Sequence, residues 1–138
     1  MAQRRAAVRL AALTAATWAL APAALACPPA APDGRRVDDA DAGIALAWRV
    51  DGRDAIPLAE PFALVVTLCP AHAELRAVDA TMPAYRHGMN YRPSVQRRAD
   101  GRWQVDGLLW HMAGDWRLRL DVALDGRTRA LHQAVALP

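Results

Sequence analysis

The sequence predicts an all-β domain, namely an immunoglobulin-like antiparallel β-sandwich of about seven strands. Apolar and polar residues alternate with a period of two in several runs after residue 43, the pattern of strands that bury one face. Asp-Gly turn dipeptides occur at 51–52, 100–101, 106–107 and 125–126, three of them between strand-like runs. A small barrel is the alternative architecture.

The clearest alternating runs lie at 44–50, 62–68, 116–124 and 131–137. Trp48 and Trp116 are in phase with the aliphatic residues of their runs, so both are predicted to lie in the core. The segment 122–131 is predicted to be a hairpin around the Asp-Gly dipeptide at 125–126. The folded domain is therefore assigned to residues 43–138.

The first 26 residues are typical of a cleaved secretory signal. A basic start is followed by an apolar run at 10–20 and by the small-x-small sequence at 24–26. The run is shorter than the roughly 20 residues of a membrane-spanning helix, so no membrane span is predicted. We expect a periplasmic or otherwise exported protein. Residues 27–42, rich in Pro, Asp and Ala, are predicted to be a flexible tether.

Two cysteines follow the leader, Cys27 and Cys69. In an oxidising compartment the simplest prediction is a disulfide between them. Cleavage after Ala26 would also make Cys27 the first residue of a lipoprotein, with a lipid anchor on its thiol. The two outcomes exclude each other for Cys27, and the sequence leaves both open.

Charge and motifs exclude several functions. All basic residues are arginines, and 14 Arg against 14 Asp and Glu follow the leader, a net charge of zero. No basic stripe with interleaved aromatic residues is present, so no nucleic-acid partner is expected. Sequence motifs of serine hydrolases, zinc proteases, phosphate-binding loops and CxxC redox proteins are also absent. We predict a protein that is not an enzyme.

Two short motifs carry the soft and borderline metal ligands: MPAYRHGMNYRP at 82–93 and GLLWHMAGDW at 107–116. Thioether and imidazole groups together favour copper. The candidate metal ligands are His87, Met89, His111, Met112 and Met82. The competing interpretation is structural, with Met82 and Met112 filling the core. His72 and His132 are predicted to be ordinary surface residues.

The same two motifs resemble those of the YtkA-like family of small exported domains, over about residues 60–137. Its DAxMPxHxHGM stretch is similar to residues 79–89, and its GLxFxMPGxW stretch to residues 107–116. Tyr85 replaces the first family His, and Ala113 replaces the family Pro. The resemblance implies an immunoglobulin-like fold and a partner in copper handling or respiratory-oxidase maturation.

Two functions remain open from the sequence. The first is a periplasmic accessory protein that binds and hands on copper, its only candidate cofactor. The second is a metal-free interaction module of the cell envelope. In the second case the loop would present an aromatic and basic patch to a protein partner, formed by Tyr85, Arg86, Tyr91 and Arg92.

Overall fold

The computed structural model describes residues 27–138, so the predicted signal peptide lies outside the described residues. The chain forms a short 3-10 turn, Ala31–Asp33, and nine strands. The strands are β1 Arg35–Asp39, β2 Ile44–Val50, β3 Phe62–Cys69, β4 Glu74–Met82, β5 His87–Gly88, β6 Ser94–Arg97, β7 Trp103–Leu108, β8 Gly114–Leu124 and β9 Arg127–Leu137. Within residues 27–138 no helix is long and apolar enough to cross a bilayer.

The strands form two antiparallel sheets that pack face to face. Sheet A has the order β1-β2-β3-β7-β6, and sheet B has the order β5-β4-β8-β9. This confirms the predicted β-sandwich, with about nine strands where about seven were expected. The predicted hairpin at 122–131 is the turn between β8 and β9, which pair along their whole length.

The core lies between the sheets and consists of the inward residues of the alternating runs. Trp48 of sheet A and Trp116 of sheet B are both buried, as their phase predicted. The Trp48 indole N–H donates to the side-chain oxygen of Gln133 on β9, so its polar atom is satisfied inside the sandwich. The sequence periodicity therefore placed the buried face correctly in both sheets.

Strand β3 differs from the other strands because it is buried on both faces. Val65 and Thr67 alternate with the core residues of β3 and point away from sheet B, yet each is almost inaccessible to solvent. The covering segment is the chain before β1. Cys27 is disulfide-bonded to Cys69, and Asp33 pairs with Arg102 at 3.5 Å.

Part of the segment predicted to be a tether, 27–42, has regular secondary structure. The segment contains the 3-10 turn and β1, which pairs with β2 from Arg35 to Asp39. Gly34 has a φ of +112°, and a Cβ there would lie 2.1 Å from the carbonyl oxygen of Trp48. The composition of the segment lacks a strong apolar pattern. The disulfide and the β1 ladder hold it against sheet A, contacts that the segment's own composition does not reveal.

The structure contains the first of the two alternatives for Cys27. Its Sγ is bonded to the Sγ of Cys69. The bond fixes the covering segment to the end of β3.

Candidate functional site

One end of the sandwich brings the two sequence motifs together. Strand β4 ends at Met82, and the chain turns back into the two-residue strand β5. The Tyr85 amide donates to the Met82 carbonyl at 3.2 Å, and Arg86 closes the turn with a φ of +52°. His87 then lies directly opposite Met82 in the sheet. Opposed residues project to the same side, so the His87 side chain lies on the core side, at the rim.

The second motif forms the connection between β7 and β8. Trp110 is buried and stacks on Trp116, with ring centroids 5.0 Å apart and planes 11° from parallel. The Trp116 indole N–H donates to the Met112 carbonyl at 2.9 Å, which holds the loop over its own strand. Between these anchors His111 is exposed and contacts the edge of Trp116 at a centroid distance of 5.9 Å.

The two histidines meet at this rim. The ring centroids of His87 and His111 are 6.1 Å apart, with planes 88° from parallel. Imidazole nitrogens bind a metal at about 2.0–2.1 Å, so two rings that share an ion have centroids about 5.2 Å apart at a tetrahedral angle and about 6.4 Å apart when linear. The observed separation falls between these limits and close to the linear one.

Carboxylates and thiols do not complete this pair. In the part of the chain that the structure describes, no group of three or more His, Cys, Asp or Glu side chains could hold a metal. Any further ligand at the rim would have to be a thioether, a backbone carbonyl or solvent. Thioethers bind soft ions such as Cu(I) and are poor ligands for hard cations.

The three methionines lie in different environments. Met82 is 1 % exposed and belongs to the core, beneath His87. Its methyl group packs against Gly114, where a Cβ would come within 2.8 Å of it. Met112 is half-buried against the core. Met89, also half-buried, lines a different groove together with Tyr91 and Arg92.

The predicted partner-binding residues are exposed but fall on two loops. Tyr85 and Tyr91 are each 62 % exposed, more than any other large apolar side chain among residues 27–138. Tyr85 and Arg86 belong to the turn between β4 and β5, beside the histidine pair. Tyr91 and Arg92 line the groove of about 500 Å³ next to β4 and β6.

Sequence reasoning missed the role of Trp116, which was assigned only to the core. Its ring stacks with the ring of Trp110 and makes an edge contact with the ring of His111. The sequence contains the spacing Trp-His-x-x-x-x-Trp at 110–116. The spacing alone does not predict that the two indoles stack beside His111, which is seen only in the structure. The Trp110 indole N–H is buried and has no hydrogen-bond partner among the described residues, an uncommon arrangement in a core.

No known protein family, no curated protein and no solved structure matches this chain. The geometry of the rim is thus the main basis for assigning a function, and the resemblance to the YtkA-like family remains a prediction.

Proposed function

We propose that this chain is an exported, non-enzymatic accessory domain that binds copper at the rim of its sandwich. His87 and His111 are the principal ligands, and Met82 and Met112 of the same two motifs supply thioethers. The single observation that supports the proposal best is the 6.1 Å separation of the two imidazoles.

The chemistry of the rim supports reversible binding. Imidazole binds both oxidation states of copper, and thioethers favour Cu(I). Both histidines are exposed, so a partner protein could reach an ion held between them and displace one ligand at a time. We propose hand-off to a copper-handling or respiratory-maturation protein, in line with the motif resemblance and the predicted export.

The proposal is tested by a competition titration of residues 27–138 with Cu(I). We expect a Kd below about 1 µM, a binding free energy of about −8 kcal/mol. The variant His87→Ala/His111→Ala should bind at least about 100-fold more weakly, a loss of about 2.7 kcal/mol. The matched control is His72→Ala/His132→Ala, which removes two exposed histidines elsewhere and should leave the affinity unchanged. Equal affinities for all three proteins would rule out the rim as the site.

A metal-free interaction module is the second candidate, and the exposure of Tyr85 and Tyr91 favours it. Exposed tyrosines beside arginines are typical of protein-binding surfaces. This function predicts no copper binding above the level of the double-histidine variant. It also predicts that Tyr85→Ser or Tyr91→Ser weakens capture of a periplasmic partner without lowering the melting temperature.

A further inference from the structure

Strand β9 is the longest open edge of the described sandwich. It has eleven residues, Arg127–Leu137, and pairs only with β8. Its pairing runs through all eleven positions without a bulge. Along its other side, no strand of residues 27–138 hydrogen-bonds to it.

The orientation of its backbone follows from one hydrogen bond in sheet B. The Met89 amide donates to the Ala80 carbonyl at 3.2 Å, so Ala80 presents its backbone groups to β5. Because residues alternate in an antiparallel sheet, Asp79 faces β8, and its partner Arg119 faces back to β4. His132 lies opposite Arg119 on β9, so the backbone groups of His132 point outward, away from the sheet.

The same alternation gives a row of free backbone donors and acceptors. It consists of Thr128, Ala130, His132, Ala134 and Ala136. Monomeric proteins protect such edges with prolines, charged side chains, bulges, short strands or a covering loop. Strand β9 has no proline and no bulge within its length, and its two arginines, Arg127 and Arg129, lie at one end. Three of the five outward residues are alanines, and residues 37–41 line a groove together with residues 130–132.

The edge is complementary to itself. An antiparallel pair of two β9 strands overlaps completely when the twofold axis passes through His132. Ala130 then lies opposite Ala134 of the second copy, and all five outward residues pair with outward residues. Each such pair makes two hydrogen bonds.

The charges fit this register. Arg127 and Arg129 lie at the start of β9. In the antiparallel pair they lie beside the end of the second β9 strand, far from Arg127 and Arg129 of the second copy. The loop between β2 and β3 is at that end. It carries Asp54, which is exposed and has no ion-pair partner among the described residues.

His132, on the twofold axis, lies opposite Arg119 of β8. The Arg119 side chain already forms a hydrogen-bonded ion pair with Asp121, at 2.7 Å. That hydrogen bond raises the pKa of Arg119. Arg117 and Asp121 are the diagonal neighbours on the same strand, and they contribute opposite charges.

We propose that a second copy of this chain adds to the β9 edge, so that the two B sheets form one continuous eight-stranded sheet with its twofold axis at His132. The rims with His87 and His111 lie at the far ends of this dimer and stay open. The proposal stands on the strand geometry and does not depend on copper binding.

The first test is the mass of residues 27–138 in solution, by sedimentation equilibrium at a concentration on the order of 0.1 mM, enough to populate a dimer with a Kd of about 10 µM. We expect twice the monomer mass. Ala134→Pro removes an outward N–H and leaves the β8 ladder intact, so it should weaken the dimer by at least about tenfold. Ala134→Ser keeps the N–H and should remain a dimer. Thermal melting of both variants shows that the fold persists.

The second test fixes the register. Opposed residues of a hydrogen-bonded pair have Cα atoms about 5.5 Å apart, within the range of a disulfide. His132→Cys should therefore form a covalent dimer on mild oxidation. Ala136→Cys should not, because it lies opposite Thr128 of the second copy. A monomer at every concentration, a dimer that Ala134→Pro does not weaken, or equal cross-linking of the two cysteine variants would each overturn the proposal.

Discussion

The two ends of the sandwich each hold a histidine with a neighbour, but the neighbours differ. At one end His72 contacts the carboxylate of Asp125 at 3.3 Å, and both side chains are largely exposed. At the other end His87 faces His111. The neighbour of His72 is therefore a carboxylate, whereas the neighbour of His87 is a second imidazole.

The support beneath each end differs as well. The end with His72 is held covalently, because β3 ends there at Cys69, which is bonded to Cys27. The rim with the histidine pair is held by packing, through Met82 and the stacked indoles of Trp110 and Trp116. One end is thus held by a covalent bond and the other by packing alone.

The largest expected effect comes from breaking the staple. The disulfide joins residues 42 positions apart, and the chain-entropy relation gives about 4 kcal/mol for a loop of that length. We expect Cys27→Ser/Cys69→Ser to lower the free energy of unfolding by about that amount, measured by urea denaturation. Copper affinity at the opposite end should stay unchanged under conditions where the variant is folded. Loss of copper binding by the folded variant would contradict the independence of the two ends.

An effect of intermediate size is expected at Met82, under the rim. Met82→Ala leaves a cavity in a closely packed core and should cost about 3 kcal/mol. Met82→Leu keeps the volume and removes the sulfur, so its cost should stay below about 1.5 kcal/mol. Thermal unfolding measures both. If Met82→Leu also lowers Cu(I) affinity, its thioether belongs to the site; an unchanged affinity limits its role to packing.

The smallest effect is expected at the exposed contact between His72 and Asp125. Exposed pairs contribute little, so His72→Ala should change the free energy of unfolding by less than about 0.5 kcal/mol. Chemical denaturation at neutral pH is the measurement. A larger loss would show that the pair helps to hold the stapled end, and the contrast between the two ends would then be weaker than the structure indicates.

Parts of the fold followed from local pattern alone. The period-two runs at 44–50 and 116–124 became β2 and β8 with the expected residues inside. The run at 62–68 also became a strand, yet its outward residues Val65 and Thr67 are buried. The run has few polar residues, which is typical of a strand covered on both sides. The chain that covers it could not be identified locally.

The candidate site shows the same division. The sequence identified both motifs and every histidine and methionine in them, and it left open whether they converge. The structure brings His87 and His111 together, places Met82 in the core and turns Met89 to another groove. Residue type limits which metals could bind, but only the arrangement of strands decides which residues can share one ion.

The sequence by itself determined four strands, at 44–50, 62–68, 116–124 and 131–137, with their core-facing residues, and the supply of possible ligands, because side chains alternate along a strand whatever the strand pairs with. The tertiary structure decided the covering of β3, the disulfide, the open edge of β9 and the meeting of the two histidines. Each of these depends on contacts between segments distant in the chain, and no local period encodes which distant segments meet.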